Sequence, residues 1–218
     1  MKNPEVQKPG RLSYEQGLDL QNRIVEAVLD GSGPETLILL EHEPVFTIGR
    51  TRDRTSLGDA PHLPFPVFET NRGGQATYHG PGQLVGYPIL DLNIRGRDLH
   101  RYLRFLEGFL IELCGHYGVE AGRVEGLTGV WVGNRKIASL GVGVKRWVSM
   151  HGFALNVTRE SLVPFHAITP CGIQGVTMTC LEAEGASATD DIQAVAEELF
   201  LQNLNAGLCP GEEAPEDR

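Results

Sequence analysis

Val130-Trp131-Val132-Gly133-Asn134-Arg135-Lys136-Ile137-Ala138-Ser139-Leu140 reads as two strands joined by a two-residue turn. Gly133-Asn134 tolerates the left-handed backbone that a tight hairpin needs, and β-prone residues flank it. Outward from this hairpin, Trp147 to Met150 and Phe153 to Val157 read as further strands. Upstream, Thr36 to Leu40 is an apolar run of the kind that forms a strand covered on both faces. Val45 to Ile48, Val67 to Glu69 and Leu84 to Leu92 are extended in the same sense.

Three helices flank these strands. Ser13 and Gln16 form a capping box ahead of an apolar stripe through Leu18, Val25, Val28 and Leu29, and Gly31 and Gly33 stop it. Asp98 caps a second helix that buries Leu99, Tyr102, Leu103, Leu106, Leu110 and Leu113 and ends at Gly115 and Gly118. A third spans about Asp190 to Asn205. Helices and strands mix without strict alternation, which predicts an α+β fold, a mixed β-sheet with flanking helices. There is no internal repeat. Residues 1–206 are expected to form a single domain and 207–218 a disordered acidic tail.

With 41% hydrophobic and 22% charged residues among 218, the chain has the composition of an ordinary globular domain. No apolar run is long enough to span a bilayer, and the polar start lacks a signal-peptide core, so no membrane is expected and the cytoplasm is the expected location. A net charge of −9 argues against nucleic acid as a partner. Cys114, Cys171, Cys180 and Cys209 show neither CxxC pairing nor metal-ligand spacing, so neither a disulfide framework nor a metal is implied. Positive charge is concentrated at Arg50, Arg52 and Arg54, at Arg95, Arg97, Arg101 and Arg104, and at Lys145 and Arg146.

Three places carry groups suited to chemistry. Arg72 to Gln83 is a glycine-rich stretch whose backbone can approach a ligand closely, with Thr77, Tyr78 and His79 among the glycines. It is neither a P-loop nor a GxGxxG after a strand. Lys136 shares a strand face with Ala138 and Leu140, which would turn it inward, where desolvation is costly; a solvated place on the hairpin edge is the other reading of a lysine here. Cys171 sits between Pro170 and Gly172, a bend that exposes a thiol, whereas Cys114 and Cys180 fit apolar surroundings.

Taken together, Glu41-His-Glu-Pro-Val-Phe-Thr-Ile-Gly49, Arg72-Gly-Gly-Gln-Ala-Thr-Tyr-His79-Gly-Pro-Gly-Gln83, Arg135-Lys136-Ile-Ala-Ser-Leu-Gly141, His151-Gly-Phe-Ala-Leu-Asn-Val157 and Pro170-Cys171-Gly172 resemble the octanoyltransferases of lipoate synthesis, the lipoyl(octanoyl) transferases. The resemblance covers about Glu41 to Leu181 and implies the fold of the lipoate and biotin protein ligases. It implies that Cys171 is the acyl-thioester nucleophile and that Lys136 activates the thiol and handles the proton. The segments Arg72, Gly73, Gly74, Gln75, Ala76, Thr77, Tyr78 and His79, then Ser139, Leu140 and Gly141, then Gly152, Phe153 and Ala154, correspond to those lining the acyl substrate. His79 is expected to orient or bind. Backbone N–H groups around Cys171-Gly172 and a Ser139–Gly141 turn are expected to hold an oxyanion.

The implied partners are octanoyl-acyl carrier protein as donor and, as acceptors, the lipoyl domains of 2-oxoacid dehydrogenase complexes and the glycine cleavage H protein. No cofactor is implied, because the donor arrives as a thioester. These partners are acidic, so Arg50, Arg52, Arg95, Arg97, Lys145 and Arg146 are expected to form a basic docking face. Two other readings share the fold: an ATP-dependent lipoate–protein ligase, which would not need Cys171, and a non-catalytic protein that binds acyl chains or modified lysines.

Overall fold

The structure, a computed structural model, describes residues 2–51, 54–58, 62–169, 176–187 and 189–207. In chain order its elements are β1 (Glu5–Leu12), α1 (Tyr14–Asp30), β2 (Thr36–His42), β3 (Val45–Ile48), β4 (Val67–Glu69), β5 (Thr77–His79), β6 (Gln83–Ile89), α2 (Leu99–His116), β7 (Gly122–Val124), β8 (Leu127–Val132), β9 (Arg135–Lys145), β10 (Val148–Asn156), β11 (Thr177–Met178) and α3 (Ile192–Gly207). Short 3₁₀ turns cover Arg54–Leu57, Leu92–Arg95 and Arg159–Ala167.

The main sheet runs β1-β2-β6-β10-β9-β8-β7, and β11 joins the start of β9. Its pairs are antiparallel except β1 with β2 and β11 with β9. Side-chain alternation splits it between two cores. Leu37, Leu39, Leu84, Phe153 and Leu155 pack with α2 and α3, while Ile38, Leu40, Val85 and Ala154 join Val25 of α1. Helices on both faces explain why β2 has no polar alternation. A small sheet, β4-β3-β5, packs its own apolar cluster against the Arg159–Ala167 turn.

The expected helices form, and the Ser13–Gln16 capping box is present on both sides, with Gly31 left-handed at φ 75° as the stop. Asp98 accepts from the backbone N–H groups of His100 and Arg101, but α2 runs through Gly115 to His116. Several boundaries need correction. The strand expected to reach Leu92 ends at Ile89, because Asp91 accepts from the Asn93 N–H and caps a 3₁₀ turn. The two strands expected at Trp147–Met150 and Phe153–Val157 are one, β10 (Val148–Asn156), which passes through His151 at φ 57° while Gln21 Oε1 takes the His151 N–H. Ser139–Gly141 is strand within β9, not a turn.

The polar segment at the start of the chain is β1, an edge strand whose mostly exposed residues gave no alternation to read. The third helix ends at Gly207, one residue inside the expected tail, and 208–218 lie outside the described residues. No helix is long and apolar enough to cross a membrane among the described residues.

Candidate active site

Backbone bonds hang the glycine-rich stretch between β9 of the main sheet and the end of β3 in the small one. Gly73 N–H donates to Val142 O at 2.9 Å, and Arg50 N–H donates to Arg72 O at 3.0 Å. Close approach needs Gly141, where a Cβ would lie 2.9 Å from Gly73 O, and Gly152, where it would lie 2.3 Å from Gly86 O. Arg72 is buried, and its guanidinium ties β3 to its own glycine-rich stretch. It donates to Thr47 O at 2.9 Å, Thr47 Oγ1 at 2.7 Å, Gln75 O at 2.9 Å and Gly73 O at 2.9 Å.

These elements line a cavity with about 440 Å³ of empty space, part of it open to solvent. Arg72, Gly74, Gln75, Thr77, His79, Ser139, Leu140, Gly141, Gly152, Phe153 and Ala154 all line it. Gly73, Ala76 and Tyr78 do not. Ala76 and Tyr78 instead pack into the cluster beneath the small sheet, because β5 turns Thr77 and His79 to the opposite side. Tyr14, Tyr87 and His151 also line the cavity and were not expected there. His151 begins one of the quoted motifs, so its place was within reach of the sequence; Tyr14 and Tyr87 gave no signal.

The cavity wall is apolar in part but carries polar atoms with no partner among the described residues: Gln75 Oε1, Thr77 Oγ1, Ser139 Oγ and His151 Nδ1. Its histidines are neutral at pH 7. Burial, reinforced by His42 and Arg72, holds His79 well below the usual imidazole range. Burial lowers His42 to about 4, and burial with the nearby Arg72 charge lowers His151 to about 4. Gln83 Nε2 donates to Tyr78 O at 3.1 Å and to Asn156 Oδ1 at 2.9 Å, which turns Gln83 Oε1 toward His79 Nδ1 at 3.3 Å. That network assigns the proton to Nδ1 and leaves His79 Nε2 as an acceptor. Likewise His42 Nδ1 donates to Leu12 O at 3.1 Å, and Tyr87 Oη donates to His42 Nε2 at 2.6 Å.

Lys136 lies apart from this wall. It is 2% exposed, yet its Nζ donates to Thr128 O at 2.9 Å and stands 5.3 Å from the centre of the Trp131 ring. Of the two sequence readings, the inward one agrees with this burial. β11 runs beside it, with Met178 in register with Lys136 and Thr179 N–H donating to Lys136 O at 2.9 Å.

Cys171 and its neighbours Pro170 and Gly172 lie outside the described residues, as do Arg52 and Cys209. The described chain on either side is placed. Thr169 N–H donates to Ser56 O at 2.8 Å, and Ser56 Oγ accepts from Ala76 N–H at 3.2 Å. On the other side stands β11, beside Lys136. Cys114 and Cys180 are buried, and burial pushes the Cys114 thiol up to about 12. Both are core residues. No cluster of metal-ligating side chains occurs among the described residues.

The expected basic face is only partly available. Arg95 is buried at 3% exposure against Glu35, with Nη2 donating to Oε2 at 2.7 Å, and Lys145 is paired with Glu26. Arg95 was expected on the docking face because it falls in a cluster of arginines, but the Leu92–Arg95 turn buries it. Arg50, Arg97 and Arg146 are exposed.

The family model of the lipoyl protein ligase A/B catalytic domain matches residues 13–202. The chain belongs to this family. Within it, an octanoyltransferase of Citrifermentans bemidjiense is 54% identical over 195 residues, 89% of this chain and 88% of that one. The chain is therefore one of the family's acyltransferases, an octanoyltransferase by kinship. Among solved structures, the bi-partite lipoate protein ligase of Thermoplasma acidophilum superposes with a TM-score of 0.70 at 14% identity, over 94% of this chain and 85% of that one. The biotin protein ligase of Aquifex aeolicus superposes with a TM-score of 0.54 at 12% identity, over 94% and 70%. Both show the fold, which is the α+β ligase fold expected from the sequence.

Proposed function

We propose that this chain transfers an octanoyl group from acyl carrier protein to a lysine of lipoyl domains, through a thioester on Cys171. The observation that carries the reading is the 54% identity to a curated octanoyltransferase over 88% of its length. The buried amine of Lys136, beside the strand that follows the Cys171 stretch, supports the residue roles.

In the first half-reaction the Cys171 thiolate attacks the donor's thioester carbonyl and the carrier's sulfur leaves, taking a proton from the Lys136 ammonium; one thioester replaces another, Lys136 is left neutral and no ATP is consumed. An ammonium at its side favours the thiolate. In the second, the acceptor's lysine amine attacks the acyl-enzyme, Lys136 takes the proton released from nitrogen, and Cys171 leaves as thiolate. The amide product is more stable than the thioester, which drives the sequence forward. The cavity walled by the Arg72–His79 stretch, Ser139–Gly141 and Gly152–Ala154 holds the octanoyl chain, and the neutral histidines keep it free of added charge. The acceptors are the lipoyl domains of 2-oxoacid dehydrogenase complexes and the glycine cleavage H protein.

Intact-mass measurement after mixing with octanoyl-acyl carrier protein tests this. The expected result is an added octanoyl mass, released by hydroxylamine and absent from Cys171→Ala. Wild-type transfer by Cys171→Ala would overturn it, as would acylation that requires free octanoate and ATP.

A further inference from the structure

One peptide group that holds the Lys136 amine rests, at its other end, on a buried carboxylate. The Thr128 carbonyl accepts from Lys136 Nζ at 2.9 Å, and the N–H of the same peptide, on Gly129, donates to Glu107 Oε1 at 3.1 Å. A trans peptide points its C=O and N–H to opposite sides, so one unit joins the ammonium to the carboxylate. Hydrogen bonds in such a chain polarise one another in a dry interior.

Glu107 is 2% exposed, on the buried face of α2. Its second oxygen is fixed by Arg104 Nη1 at 2.8 Å and Arg123 Nε at 3.1 Å. A carboxylate in an apolar helix face is costly unless it is fully bonded, and here one of its bonds goes to the peptide that holds the lysine. Gly129 completes the seat. Its φ of +128° is open to glycine, and a Cβ there would lie 2.5 Å from Lys136 Cε and 2.8 Å from Ala138 O. Lys136 itself sits at a register shift, where Val130 pairs with Ala138 and Trp131 pairs with Lys136, and such bulges re-aim a side chain.

We infer that Glu107 and Gly129 are positioning residues of the transfer reaction. Glu107 acts through the Thr128–Gly129 peptide to fix the Lys136 ammonium, and the bare Cα of Gly129 leaves the lysine stem its path. This rests on the reading that Lys136 activates Cys171.

The test is the pH dependence of iodoacetamide alkylation at Cys171 in the full chain, read peptide by peptide, beside melting temperature and single-turnover octanoyl transfer. Lys136→Ala serves as the reference and moves the alkylation half-point upward. Glu107→Ala and Gly129→Ala are expected to move it the same way by about one pH unit, a roughly ten-fold loss of thiolate at neutral pH. Glu107→Gln, which keeps an acceptor for the Gly129 N–H, is expected to restore most of the shift. If Lys136→Ala moves the half-point while folded Glu107→Ala and Gly129→Ala superpose on wild type, the inference is overturned. A uniform loss of rate at every pH, with no shift of half-point, also overturns it, because a structural role alone would produce that. Should Glu107→Ala fail to fold, Gly129→Ala and Glu107→Gln decide by the same criteria. An unmoved half-point in Lys136→Ala itself would refute the role of the lysine instead.

Discussion

Arg72 and Lys136 are both buried cations, yet they are built into the molecule in opposite ways. Arg72 spreads its guanidinium over the Thr47 and Gln75 carbonyls, the Gly73 carbonyl and the Thr47 hydroxyl, so it closes one wall of the cavity. Lys136 rests its amine on the Thr128 carbonyl and the face of Trp131, with its stem passing the open side of Gly129. A guanidinium cannot give up its proton at ordinary pH and offers a rigid fork, whereas an ammonium is a compact charge that can exchange one. The difference separates architecture from the proposed chemistry: Arg72 shapes the pocket, and Lys136 is the cation to which the proposed mechanism gives a proton to move.

The comparison breaks first at Lys136. Lys136→Ala is expected to slow single-turnover octanoyl transfer by about 10²–10⁴-fold, the range for loss of an acid–base group, with a melting temperature close to wild type. If stability falls as far as activity, the two cations are not different in kind. Acid should expose two buried histidines: His151, which feels the Arg72 charge, and His42, which packs against His79 and Tyr87. Burial holds His42 and His151 at about 4 in the fold, below the ordinary imidazole value of 6.5, so the unfolded chain binds more protons between those values. Stability is therefore full above about pH 6.5 and falls as pH drops toward 4, by up to roughly 3 kcal/mol per histidine as an order of magnitude. Urea midpoints at pH 7.5 and 4.5 measure it, and a His151→Phe variant should flatten part of the slope.

Arg72→Lys is expected to cost about 2–4 kcal/mol in urea unfolding, since an ammonium cannot reproduce the fork to Thr47 and Gln75. A near-neutral result would show that the charge alone, and not the fork, closes the cavity. The smallest effect concerns exposed cations. Arg97 Nε donates to Asn93 Oδ1, and Asn93 Nδ2 donates to Arg146 O, so Asn93 joins the turns that carry the two arginines into one corner. Reversing both to Glu is expected to slow transfer from octanoyl-acyl carrier protein about 3- to 10-fold, while transfer from octanoyl-pantetheine is unchanged. Equal slowing with both donors would mean that this corner is not where the carrier docks.

The sequence was most legible where local geometry and burial agree. The capping residues Ser13 and Asp98, the apolar β2 and the Gly133-Asn134 turn each state their structure through a few neighbouring side chains, and the structure follows them. Where one residue's conformation depends on a distant partner, the reading slipped. β10 runs unbroken through His151 because Gln21, on another element, takes its N–H. Arg95 left the surface because Glu35, far off in sequence, waits beneath it. β1 escaped notice because an edge strand can be polar on both faces.

For the site, the residue order determined which glycines and polar groups were available and that Lys136 would share a strand face with Ala138 and Leu140, since strand alternation and glycine's missing Cβ are local properties. Only the tertiary structure decided that Tyr14, Tyr87 and His151 join the cavity wall while Ala76 and Tyr78 turn away from it. It alone brought Glu107 to the far end of the peptide that holds Lys136. Such a contact joins a helix to a hairpin, and no spacing along the chain encodes which peptide a buried carboxylate will meet.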